Sequence, residues 1–284
     1  MNLEILSILM ITSFSCSLIG VIVCLRKMAM LMDAISHTAL IGVVLAYLIT
    51  KDINSPFLIL GASIICMLTA CLIEILCNKK IEKGAATGLI FPLLFSTGIL
   101  IIDRKLKNSQ ITVNSALFGK LEFIIFKRLI INGRDLGPLA FYIMLGIAII
   151  TMIFILSFYK ELEIISFDIV FAKTSGVSIL FIHYLFISLI SITAVSAFNV
   201  VGVILVISLI VGPSITSLLF TKNLKVTIIC SVVIGLVNSL IGYGIAFKYD
   251  IIISGVVASI NMLVFLLALL SMEGMNEYNR RKLS

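Results

Sequence analysis

Asp33 and His37 stand four residues apart in MLMDAISHTALIGVVLAYLI, a stretch otherwise apolar and long enough to cross a bilayer as a helix. A spacing of four is about one helical turn, so both side chains occupy one face. Ionisable groups at membrane depth are costly and as a rule face a partner or a water-filled path. A carboxylate oxygen beside an imidazole nitrogen suits a first-row divalent cation such as manganese, iron or zinc. Asp33 alone would also serve as a carboxylate at the positive end of a helix dipole. His37, one turn deeper in the apolar run, turns the pair into part of a candidate ion route.

The elements that must position this pair follow from composition. Hydrophobic residues make up 61% of the 284-residue chain and charged residues 12%, with a mean hydropathy of +1.25. An ordinary soluble domain carries about 25% charged residues. The chain therefore reads as an all-α, polytopic membrane protein of eight or nine transmembrane helices. Nine apolar runs of sufficient length fall at roughly 3–25, 30–49, 56–77, 84–102, 139–158, 179–198, 200–220, 225–247 and 250–271. The junction at Asn199 is the least distinct, and a re-entrant segment there would leave eight. No linker or internal repeat divides the chain, so residues 1–284 form one expected membrane domain. The start carries Glu4 and no Lys or Arg, so the first run reads as a span rather than a cleaved leader. Six cysteines lie mostly in apolar runs without CxxC spacing and read as small packing residues.

Basic residues in short loops orient the spans. Arg26 and Lys27, then Lys79, Lys80 and Lys83, then Lys160 and Lys173, then Lys222 and Lys225, then Arg280, Arg281 and Lys282 share one side if nine spans alternate. That side is the expected cytoplasm, with the C-terminus inside and the N-terminus outside. One stretch opposes this: residues 103–138 carry seven basic residues, Arg104, Lys105, Lys107, Lys120, Lys127, Arg128 and Arg134, yet fall outside as a partly amphipathic extracellular segment. The net charge of +7 reflects the cytoplasmic excess and does not point to nucleic acid.

Catalytic motifs are missing from the sequence. There is no GxxxxGK[ST] loop to cradle nucleotide phosphates, no HExxH, no GxSxG and no GxGxxG. The chain is not expected to be an enzyme. If ATP powers transport, a separate subunit must hydrolyse it.

RKMAMLMDAISHTALIGVVLAYL resembles an early signature of the membrane permeases of metal-ion (manganese, zinc and iron) ABC importers, in which a basic pair leads into an Asp-Ala-x-Ser-His run. Three further segments are similar to that family in the same order. NSALFGKLE resembles its Leu-Phe-Gly segment, KELEIISFDIVFAKTSGVSILFIHYL its cytoplasmic loop and following span, and FNVVGVILVISLIVGPSITSLLFT its Val-Gly-rich span. Three positions depart from it. Met32 replaces a glycine before the Asp, Ile41 stands where proline is common, and FKYDIIISGVVASI lacks a proline in the last outer loop. The first two changes favour a straighter second span.

The resemblance implies a type II ABC importer permease in a bacterial plasma membrane. It implies partners: a cytoplasmic ABC ATPase, an extracellular metal-binding protein and a second permease subunit, identical or a close paralogue. No permanently bound cofactor is expected; the metal is cargo. Two copies facing one axis would bring two Asp33 and two His37 together, up to four oxygen and nitrogen ligands, held loosely enough to release the ion. The segment of about 160–178 is the candidate for coupling to the ATPase. Ser166 and Asp168 are candidate helix caps flanking Phe167, and the small residues Ala172, Ser175 and Gly176 suit a short helix ending at glycine.

His183 and Glu74 are secondary pathway candidates. His183 sits just inside the sixth span, where a histidine often serves packing and hydrogen bonding. Glu74 lies near the cytoplasmic end of the third, within reach of Lys79 and Lys80. Glycines 84, 88, 235, 242 and 244 read as close-approach positions, and Pro213 as a bend in the seventh span. Two other function classes fit the opening pair: a secondary transporter or channel coupled to protons through Asp33 and His37, and an intramembrane metalloenzyme. The latter needs a further ligand and a polarised water, and no third His or acidic residue stands at matching spacing.

Overall fold

A computed structural model describes residues 3–51, 57–78, 81–105, 128–131 and 134–283. Among these, nine helices are long and apolar enough to cross a membrane. They are α1 (Leu3–Leu25), α2 (Ala29–Thr50), α3 (Phe57–Asn78), α4 (Lys83–Lys105), α5 (Leu139–Ser157), α8 (Ile179–Val201), α9 (Val203–Phe220), α10 (Leu224–Tyr249) and α11 (Ile253–Leu283). Two short helices, α6 (Tyr159–Phe167) and α7 (Ile169–Thr174), fill the connection between α5 and α8. Between α4 and α5, β1 (Arg128–Ile131) pairs antiparallel with β2 (Arg134–Pro138). The stretch NSALFGKLE and residues Lys79 and Lys80 lie outside the described residues.

Helix α1 is the hub, packed against α5, α9 and α10, while α2 packs against α3 and α4. Close approach explains the hub. A Cβ on Gly20 would stand 2.0 Å from the Ile210 carbonyl oxygen of α9, so only glycine lets those backbones meet. Pro213 lies inside α9 without breaking it. Proline supplies no N–H to the carbonyl one turn back, and the Leu209 carbonyl instead receives the Ser17 hydroxyl of α1 at 3.5 Å. Gly235 and Gly242 are tight contacts as expected, whereas Gly88 and Gly244 have open space where a Cβ would stand.

The uncertain junction breaks at Gly202 rather than Asn199. Gly202 adopts φ +88° and ψ 158°, a region that is essentially restricted to glycine. Asn199 stays helical, its side-chain amide donating to the Val195 carbonyl at 3.1 Å. At the other connections Lys27, Lys51 and Asp250 end helices with positive φ.

Contacts at the two ends agree with alternating spans. At one end the Arg128 guanidinium donates to both carboxylate oxygens of Glu4, at 3.1 and 3.2 Å, which fastens the β-hairpin beside the start of α1. At the other end, Arg26 after α1, Glu74 late in α3 and His183 early in α8 meet. The Lys225 ammonium at the start of α10 lies 5.3 Å from the Tyr159 ring centre of α6 there. The described part of the basic 103–138 stretch thus sits on the N-terminal side, opposite α6 and α7.

Candidate functional site

Asp33 and His37 occupy the first turns of α2. At 1.5 Å per residue, His37 lies about 12 Å along the helix from Ala29. His37 Nε2 stands 3.6 Å from Asp33 Oδ1, with the side chains 27% and 58% exposed respectively. Bonds of about 2.1 Å put two ligands of a tetrahedral ion about 3.4 Å apart, while an N–H···O bond spans about 2.9 Å. The separation is therefore closer to the bite of one cation than to a direct hydrogen bond. His37 Nδ1 is buried and has no hydrogen-bond partner among the described residues.

Neighbouring helices hold α2 in place. Phe91 and Phe95, one turn apart on α4, set their ring centres 5.0 and 5.6 Å from the imidazole. On the α3 side the Thr69 hydroxyl donates to the Thr38 hydroxyl at 3.1 Å. A Cβ on Gly42 would stand 2.5 Å from Ala62 Cα. Asp33 is left facing open space, and the apolar window of α4 is only 11% buried.

His183 and Glu74 come together, but not with Asp33 and His37. Among the described residues no group of three or more His, Cys, Asp or Glu side chains could hold a metal. The Arg26 guanidinium donates from Nη2 to His183 Nδ1 at 2.6 Å, and His183 Nε2 bonds Glu74 Oε1. Since Nδ1 accepts from a permanent cation, the proton of the neutral ring sits on Nε2 and is donated to the carboxylate. Arg26 was legible as a topology-setting charge and as one of the basic pair before the Asp-Ala-x-Ser-His run, not as a partner of His183. Its burial against the Phe186 ring, 5.7 Å from guanidinium to ring centre, has no sequence signature.

In the connection α6–α7 the Asp168 carboxylate accepts the Phe171 N–H at 2.9 Å and caps α7. Ser166 instead donates to the Leu162 carbonyl at 2.6 Å inside α6. Leu162, Ile165 and Ala172 are buried and anchor the segment. Ser175 N–H closes on the Phe171 carbonyl at 3.0 Å, and Gly176 leaves with φ +75°. Phe167, Ile169, Val170 and Phe171 remain exposed, Val170 at 73%. Burial, followed by the nearby Glu163 carboxylate, pushes the Tyr159 phenol of α6 up.

Among the described residues, nine helices long and apolar enough to cross a membrane, with an Asp–His pair on one of them and an exposed apolar ridge in a connection, define a polytopic membrane protein. Residues 3–272 match the ABC 3 transport family (ABC-3), and the chain belongs to that family. It is 35% identical over 245 residues to the manganese transport system membrane protein MntD of Bacillus subtilis (strain 168), covering 86% of this chain and 83% of the relative. To the zinc transport system membrane protein TroD of Treponema pallidum (strain Nichols) it is 31% identical over 271 residues, 95% of this chain and 74% of the relative. Among solved structures it is similar to PsaBC from Streptococcus pneumoniae in complex with Fab, with a TM-score of 0.77 and 25% identity over 93% of this chain and 89% of that one. The fold is that of an ABC transporter permease, and the chain is a membrane subunit without a nucleotide-binding motif.

Proposed function

We propose that this chain is the permease subunit of an ATP-driven importer of a divalent transition metal, manganese, zinc or iron, in a bacterial plasma membrane. The observation that carries the reading is the Asp33–His37 pair, two donors 3.6 Å apart on the first turns of α2. The manganese and zinc transport relatives support the cargo class. An external binding protein delivers the ion and alternating access carries it inward. Asp33 and His37 give it a transient stop between two aqueous faces. A second permease copy, facing the open side of α2 and α4, completes the coordination. Two donors per subunit hold the ion weakly alone, which suits a conduit.

The exposed ridge Phe167–Phe171 seats on a cytoplasmic ABC ATPase. Ile169, Val170 and Phe171 project from a capped helix anchored by Ala172, with Phe167 at the end of the helix before it, a shape suited to a groove on a partner. The C-terminus then lies in the cytoplasm. The test is metal uptake by the complex reconstituted with its ATPase and binding protein. Uptake should stop when ATP hydrolysis is blocked. Uptake by the permease alone, driven by a pH gradient, would overturn the reading in favour of a proton-coupled transporter.

A further inference from the structure

We propose that His183 is a positioning residue that transmits movement of the α6–α7 connection to the helix carrying Asp33 and His37. This rests on the reading of that connection as the ATPase-docking segment.

The geometry gives His183 two arms. Its helix, α8, begins at Ile179, three residues after Gly176 ends the connection, so displacement of α7 is passed to the first turn of α8. The first arm runs from His183 Nδ1 to Arg26. Only Lys27 and Met28 separate Arg26 from the start of α2, where Met28 N–H bonds the Val23 carbonyl at 2.9 Å and Met28's own carbonyl accepts from Met32. The second arm runs from Nε2 to Glu74 of α3. Helix α3 is locked to α2 through Thr69 with Thr38, through Gly42 against Ala62, and through Gly61, where a Cβ would stand 2.7 Å from Ala46 Cβ. Both arms therefore end on α2.

The chemistry suits transmission. Hydrogen bonds with an ionised partner are short, directional and stronger than neutral ones, and both ring nitrogens of His183 are used in this way. A role in packing alone would be filled by an apolar side chain without a guanidinium and a carboxylate being drawn in among the helices. Arg26 Nη1 is buried without a hydrogen-bond partner among the described residues, so one donor of the guanidinium is not used by the His183 arm.

The test compares metal transported per ATP hydrolysed in the full complex, loaded with the metal that stimulates the unmodified ATPase most. If unmodified complex shows no metal-dependent hydrolysis, the importer reading fails before this proposal is reached. Given that activity, His183→Leu should assemble and hydrolyse ATP but transport about tenfold less metal per ATP, within the range of ordinary coupling energies between sites. His183→Gln, whose amide can accept from Arg26 and donate to Glu74, should recover most of the ratio. Should His183→Leu fail to assemble, Glu74→Ala, which cuts one arm only, decides the question with an expected loss of about threefold. An unchanged ratio in the variant that assembles, or a loss in His183→Gln as deep as in His183→Leu, overturns the proposal.

Discussion

The Asp168 carboxylate holds the Phe171 N–H at 2.9 Å, and that one bond starts the six-residue helix α7. A helix this short has little stability of its own, so its cap and its buried Ala172 decide whether Ile169, Val170 and Phe171 form a ridge. Replacing an aspartate cap by alanine costs about 1 kcal/mol. Asp168→Ala should weaken capture of the ATPase by roughly that amount, about fivefold, and leave metal recognition alone. Ser166→Ala should have a smaller effect, because its hydroxyl only bonds back within α6. Titration of the purified permease with its ATPase reads both.

Gly20 and Gly244 offer a packing test. A methyl group at Gly20 meets the Ile210 carbonyl, whereas at Gly244 it meets nothing. Overpacking between helices costs about 1–3 kcal/mol, so Gly20→Ala should lower the unfolding midpoint in detergent. Gly244→Ala should leave it unchanged or raise it slightly, because alanine suits a helix interior better than glycine. Equal midpoints in the two variants would remove the close α1–α9 approach.

The Glu4–Arg128 contact places the hairpin on the N-terminal side, and the Lys225–Tyr159 contact places α10's start on the other. Single cysteines, introduced in a background freed of the six native ones, should react accordingly with an impermeant thiol reagent. Arg128→Cys should label from outside intact cells and Lys222→Cys only after lysis. Labelling of both from the same side contradicts the topology.

Much of the fold could be read from apolar run lengths, because in lipid every backbone polar group must be satisfied within its own helix. The nine runs anticipate closely the nine helices that, among the described residues, are long and apolar enough to span. Gly202 was not singled out, since a positive φ is a property of the folded backbone and nothing in FNVVGV separates that glycine from a helical one. The strands at Arg128 and Arg134 were likewise hidden in a segment read as amphipathic. Within the site, the spacing of Asp33 and His37 predicted their shared face, and a five-residue pattern sufficed for that. The bond from His183 to Arg26 spans 157 residues of sequence and the one to Glu74 spans 109, so no local pattern could announce them. Phe91 and Phe95 carried a weak signal, an aromatic pair one turn apart, with nothing to say that a histidine faced it.

Metal uptake by the reconstituted complex, measured for Asp33→Ala and His37→Ala beside the unmodified permease, tests the central claim most directly. Removing a direct ligand should cost no less than the roughly 10- to 100-fold lost when a ligand's supporting partner is removed. Both variants should therefore lose at least about tenfold in uptake while still binding the ATPase. Unmodified uptake in both variants, with assembly intact, would contradict the assignment of the pair to the ion path.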